Sequence, residues 1–149
     1  MDYKLIMQAA LSLAKVAADN GDVPVGAIVV NEAGEILGTG QNLREQSNDP
    51  TAHAEVIAIR QAAEKIGSWR LDDLTIVVTL EPCAMCAGAI AQSRIKRLVF
   101  GAWDLKAGAV GSVMDVIRDP RTLIKVEVVS GIMEKECSEG LSNFFNTKR

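Results

Sequence analysis

The sequence predicts a three-layer α/β/α sandwich built on one five-stranded mixed sheet. Three observations point there. Apolar spacing switches between helical and extended along the chain, giving the order α, β, β, α, β, α, β, α, β, α. The stretch Thr75–Leu80 is β-branched and almost wholly apolar, as a strand covered on both faces must be. No repeat, low-complexity tract or linker interrupts the 149 residues, so a single domain is expected over 1–149.

The first helix is read from about Tyr3 to Ala18, where Leu5, Ile6, Ala9, Leu13, Val16 and Ala17 share one face and Asn20-Gly21 supplies a stop. Gly26–Val30 and Glu35–Thr39 flank the polar turn Asn31-Glu32-Ala33-Gly34, which predicts an antiparallel hairpin. Asp49-Pro50-Thr51 is a helix-start signal, with an Asx cap and Pro just inside, and the helix should run to about Lys65 before Gly67. After the strand Thr75–Leu80, a second Pro-started helix opens at Glu81-Pro82 and runs to about Ser93. Arg97–Phe100 is expected as a short strand, Gly108–Gly111 as a flexible loop and Val113–Arg118 as a helix. Ile124–Val129 is expected as the last strand and Glu134–Phe145 as the terminal helix.

With 48% hydrophobic residues, a chain of this length buries enough surface to fold without disulfide staples. Charge-free stretches such as Leu74–Leu80 and Pro82–Ser93 fall short of the roughly 20 apolar residues a membrane-spanning helix needs. The opening MDYKLIMQAA places Asp2 where an export signal would be basic, so a cytoplasmic location is expected. A formal net charge of -3 argues against a uniformly basic, nucleic-acid-binding surface. It leaves room for a local basic patch, such as Arg94, Lys96 and Arg97, or Lys148 and Arg149 at the end of the chain.

The chemistry concentrates in three short segments. Three cysteines make no complete disulfide framework, and two of them are spaced as Cys83-x-x-Cys86, a pattern for metal binding or redox chemistry. His53 is the only histidine in the chain, and Glu55 follows it by two. One imidazole and two thiolates suit Zn²⁺, and three protein ligands leave a fourth tetrahedral position for water. Cys83 and Cys86 lie on one helix face, and Pro82 at the first helical position would set both sulfurs in the opening turn, where free N–H groups and the helix dipole favour thiolate. In mid-helix, His53 and Glu55 would point about 200° apart, but at a first turn both can reach a site beyond the helix end. Glu55 is then free to act as the acid/base, since the one imidazole is already a ligand. Cys137, on the last helix, is read as a free surface or packing thiol; as a fourth ligand it would close the site and make the metal structural.

Together these residues carry the H-x-E…P-C-x-x-C signature of zinc-dependent base deaminases. Further stretches extend the likeness: Gly21–Ala27, Asp49–Glu55, Thr79–Ala89, Ser93-Arg94-Ile95, Lys106-Ala107-Gly108, Gly111-Ser112 and Phe144-Phe145. On these the chain resembles the bacterial tRNA-specific adenosine deaminases of the cytidine-deaminase-like superfamily, from the first helix to Phe145. The resemblance implies hydrolytic conversion of the wobble adenosine of a tRNA anticodon loop to inosine, with release of ammonia. It implies one Zn²⁺ per subunit on His53, Cys83 and Cys86, with Glu55 as the catalytic proton carrier. It implies that Asn42, the loop Val23, Pro24 and Val25, and the backbone near Ala54 hold the flipped-out nucleoside. Asp104 would meet the sugars of the RNA loop, with Lys106 and Phe144 as further contacts. It also implies a homodimer, each site completed by the neighbouring subunit. Where the family carries Asn-His before the last strand, this chain has Leu123-Ile124, so two polar contacts are replaced by apolar side chains. Phosphate contacts would then fall to Arg44, Arg70, Arg94 or Lys106. Two other functions compete: deamination of a free base or nucleoside such as guanine or cytosine, and a catalytically idle zinc-binding module.

Overall fold

The computed structural model describes residues 1–148; Arg149, read above with Lys148 as a basic pair, lies outside the described residues. The elements are α1 Tyr3–Asp19, β1 Gly26–Val30, β2 Ile36–Gln41, α2 Arg44–Ser47, α3 Ala54–Ile66, β3 Thr75–Leu80, α4 Ala84–Gln92, β4 Arg97–Ala102, β5 Glu127–Val129 and α5 Glu134–Thr147. The sheet runs β2-β1-β3-β4-β5. β1 pairs antiparallel with both β2 and β3, whereas β3–β4 and β4–β5 are parallel, so the sheet is mixed. This is the five-stranded sheet that the order of elements predicts, in the cytidine-deaminase-like α/β arrangement that the resemblance implies.

Alternation along the strands divides the core in two. Ala27, Val29, Ile76, Val78, Leu98 and Phe100 face α3 and α4 and pack on Ala54, Ala58, Ala87 and Ile90. The intervening Ile28, Val30, Val77 and Val99 face α1 and α5, where they meet Met7, Ala10 and Cys137. Glycines set how closely the helices sit on the sheet. A Cβ on Gly40 would lie 2.1 Å from the Ala54 carbonyl oxygen, and one on Gly26 would lie 2.0 Å from that of Ala10. α3 and α1 therefore rest directly on strand backbone that has no side chain in the way.

Several sequence expectations change. Asp49-Pro50-Thr51 does not start the helix: Asp49 accepts from the Thr51 amide (2.9 Å) and hydroxyl (2.7 Å), which closes a separate turn, and α3 begins at Ala54. α4 likewise starts two residues after Pro82, with Cys83 as its N-cap. The expected helix at Val113–Arg118 is absent, because its amides bond elsewhere. Val113 and Met114 donate to the Gly108 carbonyl (3.1 and 3.2 Å) and Val116 to that of Ala109 (2.8 Å), folding the segment back on a buried stretch. Gly108–Gly111, expected to be a flexible loop, instead begins with three buried residues, Gly108 to Val110. The last strand is confined to Glu127–Val129, the three residues in register with Arg97–Val99. The short α2 has no counterpart in the sequence reading; its Glu45 amide is capped by the buried Asp22 carboxylate at 3.2 Å. None of the described helices is long and apolar enough to cross a membrane.

Candidate metal centre and active site

α3 and α4 point their N-termini at the same place. Their N-cap residues are His53 and Cys83, both with extended backbone and neither using its side chain to cap its own helix. Ser, Thr, Asp or Asn is the usual choice at this position, so two side chains are given up as caps and freed for another task. They meet: His53 Nδ1 lies 3.7 Å from Cys83 Sγ and 3.5 Å from Cys86 Sγ. Tetrahedral Zn²⁺ with bonds of about 2.3 Å to sulfur and about 2.0 Å to nitrogen would place such ligand atoms roughly 3.5 Å apart. His53, Cys83 and Cys86 are thus the possible metal-binding group found among the described residues, and their spacing fits the ion.

The electrostatics of the group follow from crowding acids together at two helix ends. Cys83 is held down to about 3, first by the Cys86 thiol that shares its proton and then by His53. Cys86 is pushed far up by the same sharing and by burial. His53 is raised, chiefly through its hydrogen bond with Cys83. A cation is what would let both sulfurs ionise at once. Glu55, in the first turn of α3, is buried, and burial pushes its carboxyl up to about 7, with the Cys83 charge adding to the shift. A carboxyl poised near neutrality can both take and give a proton.

Next to the cluster is a cavity of about 180 Å³ that His53, Glu55 and Cys83 share with Val23, Val25, Asn42, Arg44, Leu80, Glu81, Asp104 and Ala107. Asn42 stitches its floor: Nδ2 donates to the Val23 carbonyl (3.0 Å) and Oδ1 accepts from the Ala54 amide (3.0 Å). The Ala54 amide proposed for substrate is therefore held by Asn42, and buried Pro24 supports the loop without lining the cavity. Asp104 lines the rim and accepts from the amides of Lys106 (3.0 Å) and Ala107 (3.1 Å). Lys106 opens onto an adjoining cleft with Trp103, Leu105 and Phe145. Phe144 lines another cleft with Arg44, Asp22 and Lys148. Arg70 pairs with Asp72 and Arg94 shares a separate cleft with Leu123 and Ile124, so neither borders the cavity. Cys137 sits in the core on the far side of the sheet, apart from the cluster, as a packing thiol.

Sequence reasoning missed Glu81. Its side chain is 1% exposed, and both carboxylate oxygens accept hydrogen bonds from the segment after β4. Burial pushes its carboxyl up, but the Ser112 hydroxyl and the amides of Asp104, Val110 and Ser112 outweigh this and hold it below the usual value. The available signal was an acid ending an apolar strand directly before Pro82-Cys83.

Two helix starts that converge a histidine and two cysteines on one point, beside a buried carboxyl and a cavity, make the arrangement expected of the zinc-dependent base deaminases. The comparisons place the chain more narrowly. It belongs to the MafB19-like deaminase family, whose model matches residues 1–149. It is 51% identical over 144 residues to the tRNA-specific adenosine deaminase of Haemophilus influenzae, covering 97% of this chain and 83% of that one. It is 45% identical over 146 residues to the protein of the same description from Bacillus subtilis, covering 98% and 90%. Among solved structures, one from a study of A-to-I editing by tRNA:A34 deaminases superposes with a TM-score of 0.87 at 42% identity, covering 91% of this chain and 97% of that one.

Proposed function

We propose that this chain, acting as one domain over 1–149, is a zinc-dependent hydrolase that deaminates the wobble adenosine of a tRNA anticodon loop to inosine. What carries the reading is the cavity wall shared by His53, Cys83 and Glu55, in a chain related over nearly its whole length to tRNA-specific adenosine deaminases. His53, Cys83 and Cys86 would hold the ion. When bound, Zn²⁺ supplies an activated water nucleophile at neutral pH. Glu55 takes a proton from the water as the C6–O bond forms, delivers it to the purine ring nitrogen, and then carries the remaining proton of the new C6 hydroxyl to the amine as the C6–N bond breaks and the C6 carbonyl forms. One water is consumed and one ammonia released, with no change of oxidation state.

The remaining residues bind and orient. Asn42 fixes the Val23–Val25 loop against the start of α3, so the walls around the flipped base keep their spacing. Arg44 reaches the cavity with its Nε buried and, among the described residues, without a partner, which suits it to a phosphate beside the target nucleotide. Lys106 and Phe144 line the flanking clefts, where the neighbouring nucleotides of a single-stranded loop would lie. The same reading makes the protein a cytoplasmic homodimer. Met85, Val113 and Met114 leave apolar side chains exposed, the kind of surface a second copy covers.

The test is ammonia release and inosine formation on a transcribed tRNA with adenosine at the wobble position, run beside free adenine, guanine and cytosine. Conversion confined to the tRNA is expected. Activity on a free base alone would keep the metal chemistry and overturn the substrate.

A further inference from the structure

The cavity has two unlike walls. His53, Glu55 and Cys83 stand on helix starts, whereas Asp104 and Ala107 belong to an irregular segment that follows β4. Resting on the reading of this cavity as the nucleoside site, we propose that Glu81 is a positioning residue whose carboxylate holds the Asp104–Ser112 segment in place as the substrate-facing wall.

The wiring is specific. Glu81 Oε1 accepts from the Asp104 amide (3.0 Å) and the Ser112 hydroxyl; Oε2 accepts from the amides of Val110 (2.9 Å) and Ser112 (3.1 Å). Four donors spread over nine residues converge on one side chain, and no cation among the described residues pairs with it. An ionised carboxylate is acceptor-only with room for all four, and bonds to it are charge-assisted. The neighbouring backbone joins in: the Glu81 amide donates to Ala102 and the Ala109 amide to Pro82, both at 2.8 Å. Gly108 packs so tightly that a Cβ there would lie 2.3 Å from Glu81 Oε1. Glu81 also sits two residues before Cys83, so one short segment sets both the metal cluster and the opposite wall.

Glu81→Gln keeps the shape but offers one acceptor oxygen and an NH₂ group. At least one backbone N–H of the segment must then face another donor, whichever way the amide turns. In the zinc-loaded enzyme, metal content is expected to stay at the wild-type level. The amides of Asp104, Val110 and Ser112 should exchange hydrogen faster, while those of β3 and α4 stay protected. KM for the tRNA should rise about 10- to 100-fold, the scale of a misplaced binding wall. With the chemistry untouched, kcat should hold within about 3-fold. Unchanged KM with unchanged exchange would overturn the proposal, as would a fall in kcat alone. Should Glu81→Gln fail to fold, Ser112→Ala removes a single donor and should raise KM by about 3- to 10-fold, the net worth of one typical intramolecular hydrogen bond; no rise would be equally decisive. A wild-type enzyme inactive on tRNA would sink the substrate reading instead, and amide exchange would still judge the clasp.

Discussion

Both faces of the sheet bury an apolar core, the larger one under α3 and α4, and they use it differently. On one face α3 and α4 pack through small residues, Ala54, Ala58, Ala62 and Ala87, and their first turns converge on the site. On the other, α1 and α5 pack around Met7, Ala10 and Cys137, and no metal-binding group is found there among the described residues. The cysteines make the contrast chemical. Cys83, the N-cap of α4, is held down to about 3 by its neighbours, whereas Cys137, in the opening turn of α5, is pushed up to about 11 by burial. One residue type becomes a ligand or a packing thiol according to what its sulfur meets: His53 and a second cysteine at Cys83, apolar core at Cys137.

The largest effect expected on the site face is that of Glu55→Gln. The amide keeps the shape but cannot carry the proton, so turnover should fall by at least about 10²–10⁴-fold, the typical contribution of one acid/base group. Bound metal should stay at the wild-type level, because Glu55 lies outside the His53, Cys83 and Cys86 group. Near-normal turnover, measured as inosine formed per subunit, would remove Glu55 from the chemistry.

A matched pair of glycine substitutions sharpens the comparison at an intermediate scale. Gly40→Ala pushes on the Ala54 carbonyl, one residue from His53 and Glu55, and Gly26→Ala pushes on the Ala10 carbonyl on the opposite face. Both added methyls overpack a helix against a strand, and each should cost roughly 1–3 kcal/mol of stability. Only the first shifts the start of α3. Activity per folded molecule should therefore drop more in Gly40→Ala than in Gly26→Ala, with denaturant melts and kinetics on the same preparations as the check. Equal losses would mean that the site is not tied to the helix start more than to the rest of the fold.

What could be read from the sequence follows the same division. The cluster was legible because its information is local: His53 and Glu55 are two apart, Cys83 and Cys86 three apart, and Pro82 marks a helix start. The boundaries slipped by a few residues because Asp49 and Pro82 precede their helices instead of opening them. The segment from Asp104 to Ser112 was illegible because one side chain holds it from 23 to 31 residues away. No periodicity encodes a contact of that kind. The helix expected at Val113–Arg118 failed for the same reason, its amides being taken by Gly108 and Ala109.

The smallest expected effect belongs to Cys137, and it separates the two kinds of thiol. Cys137→Ala should leave metal content and kcat/KM unchanged, since the thiol packs between α5 and Gly101 on the far face. Its mark should be in the pH dependence of stability. Burial raises the folded thiol from an ordinary value of 9.0 to about 11, so the folded state holds its proton longer than the unfolded chain does. The resulting stabilisation is complete below about pH 9 and disappears as pH climbs through 11. The stability gap between wild type and Cys137→Ala, from urea melts at several pH values, should therefore narrow across that window. A constant gap would mean that the thiol feels no burial there, and loss of metal in this variant would move Cys137 to the other face of the comparison.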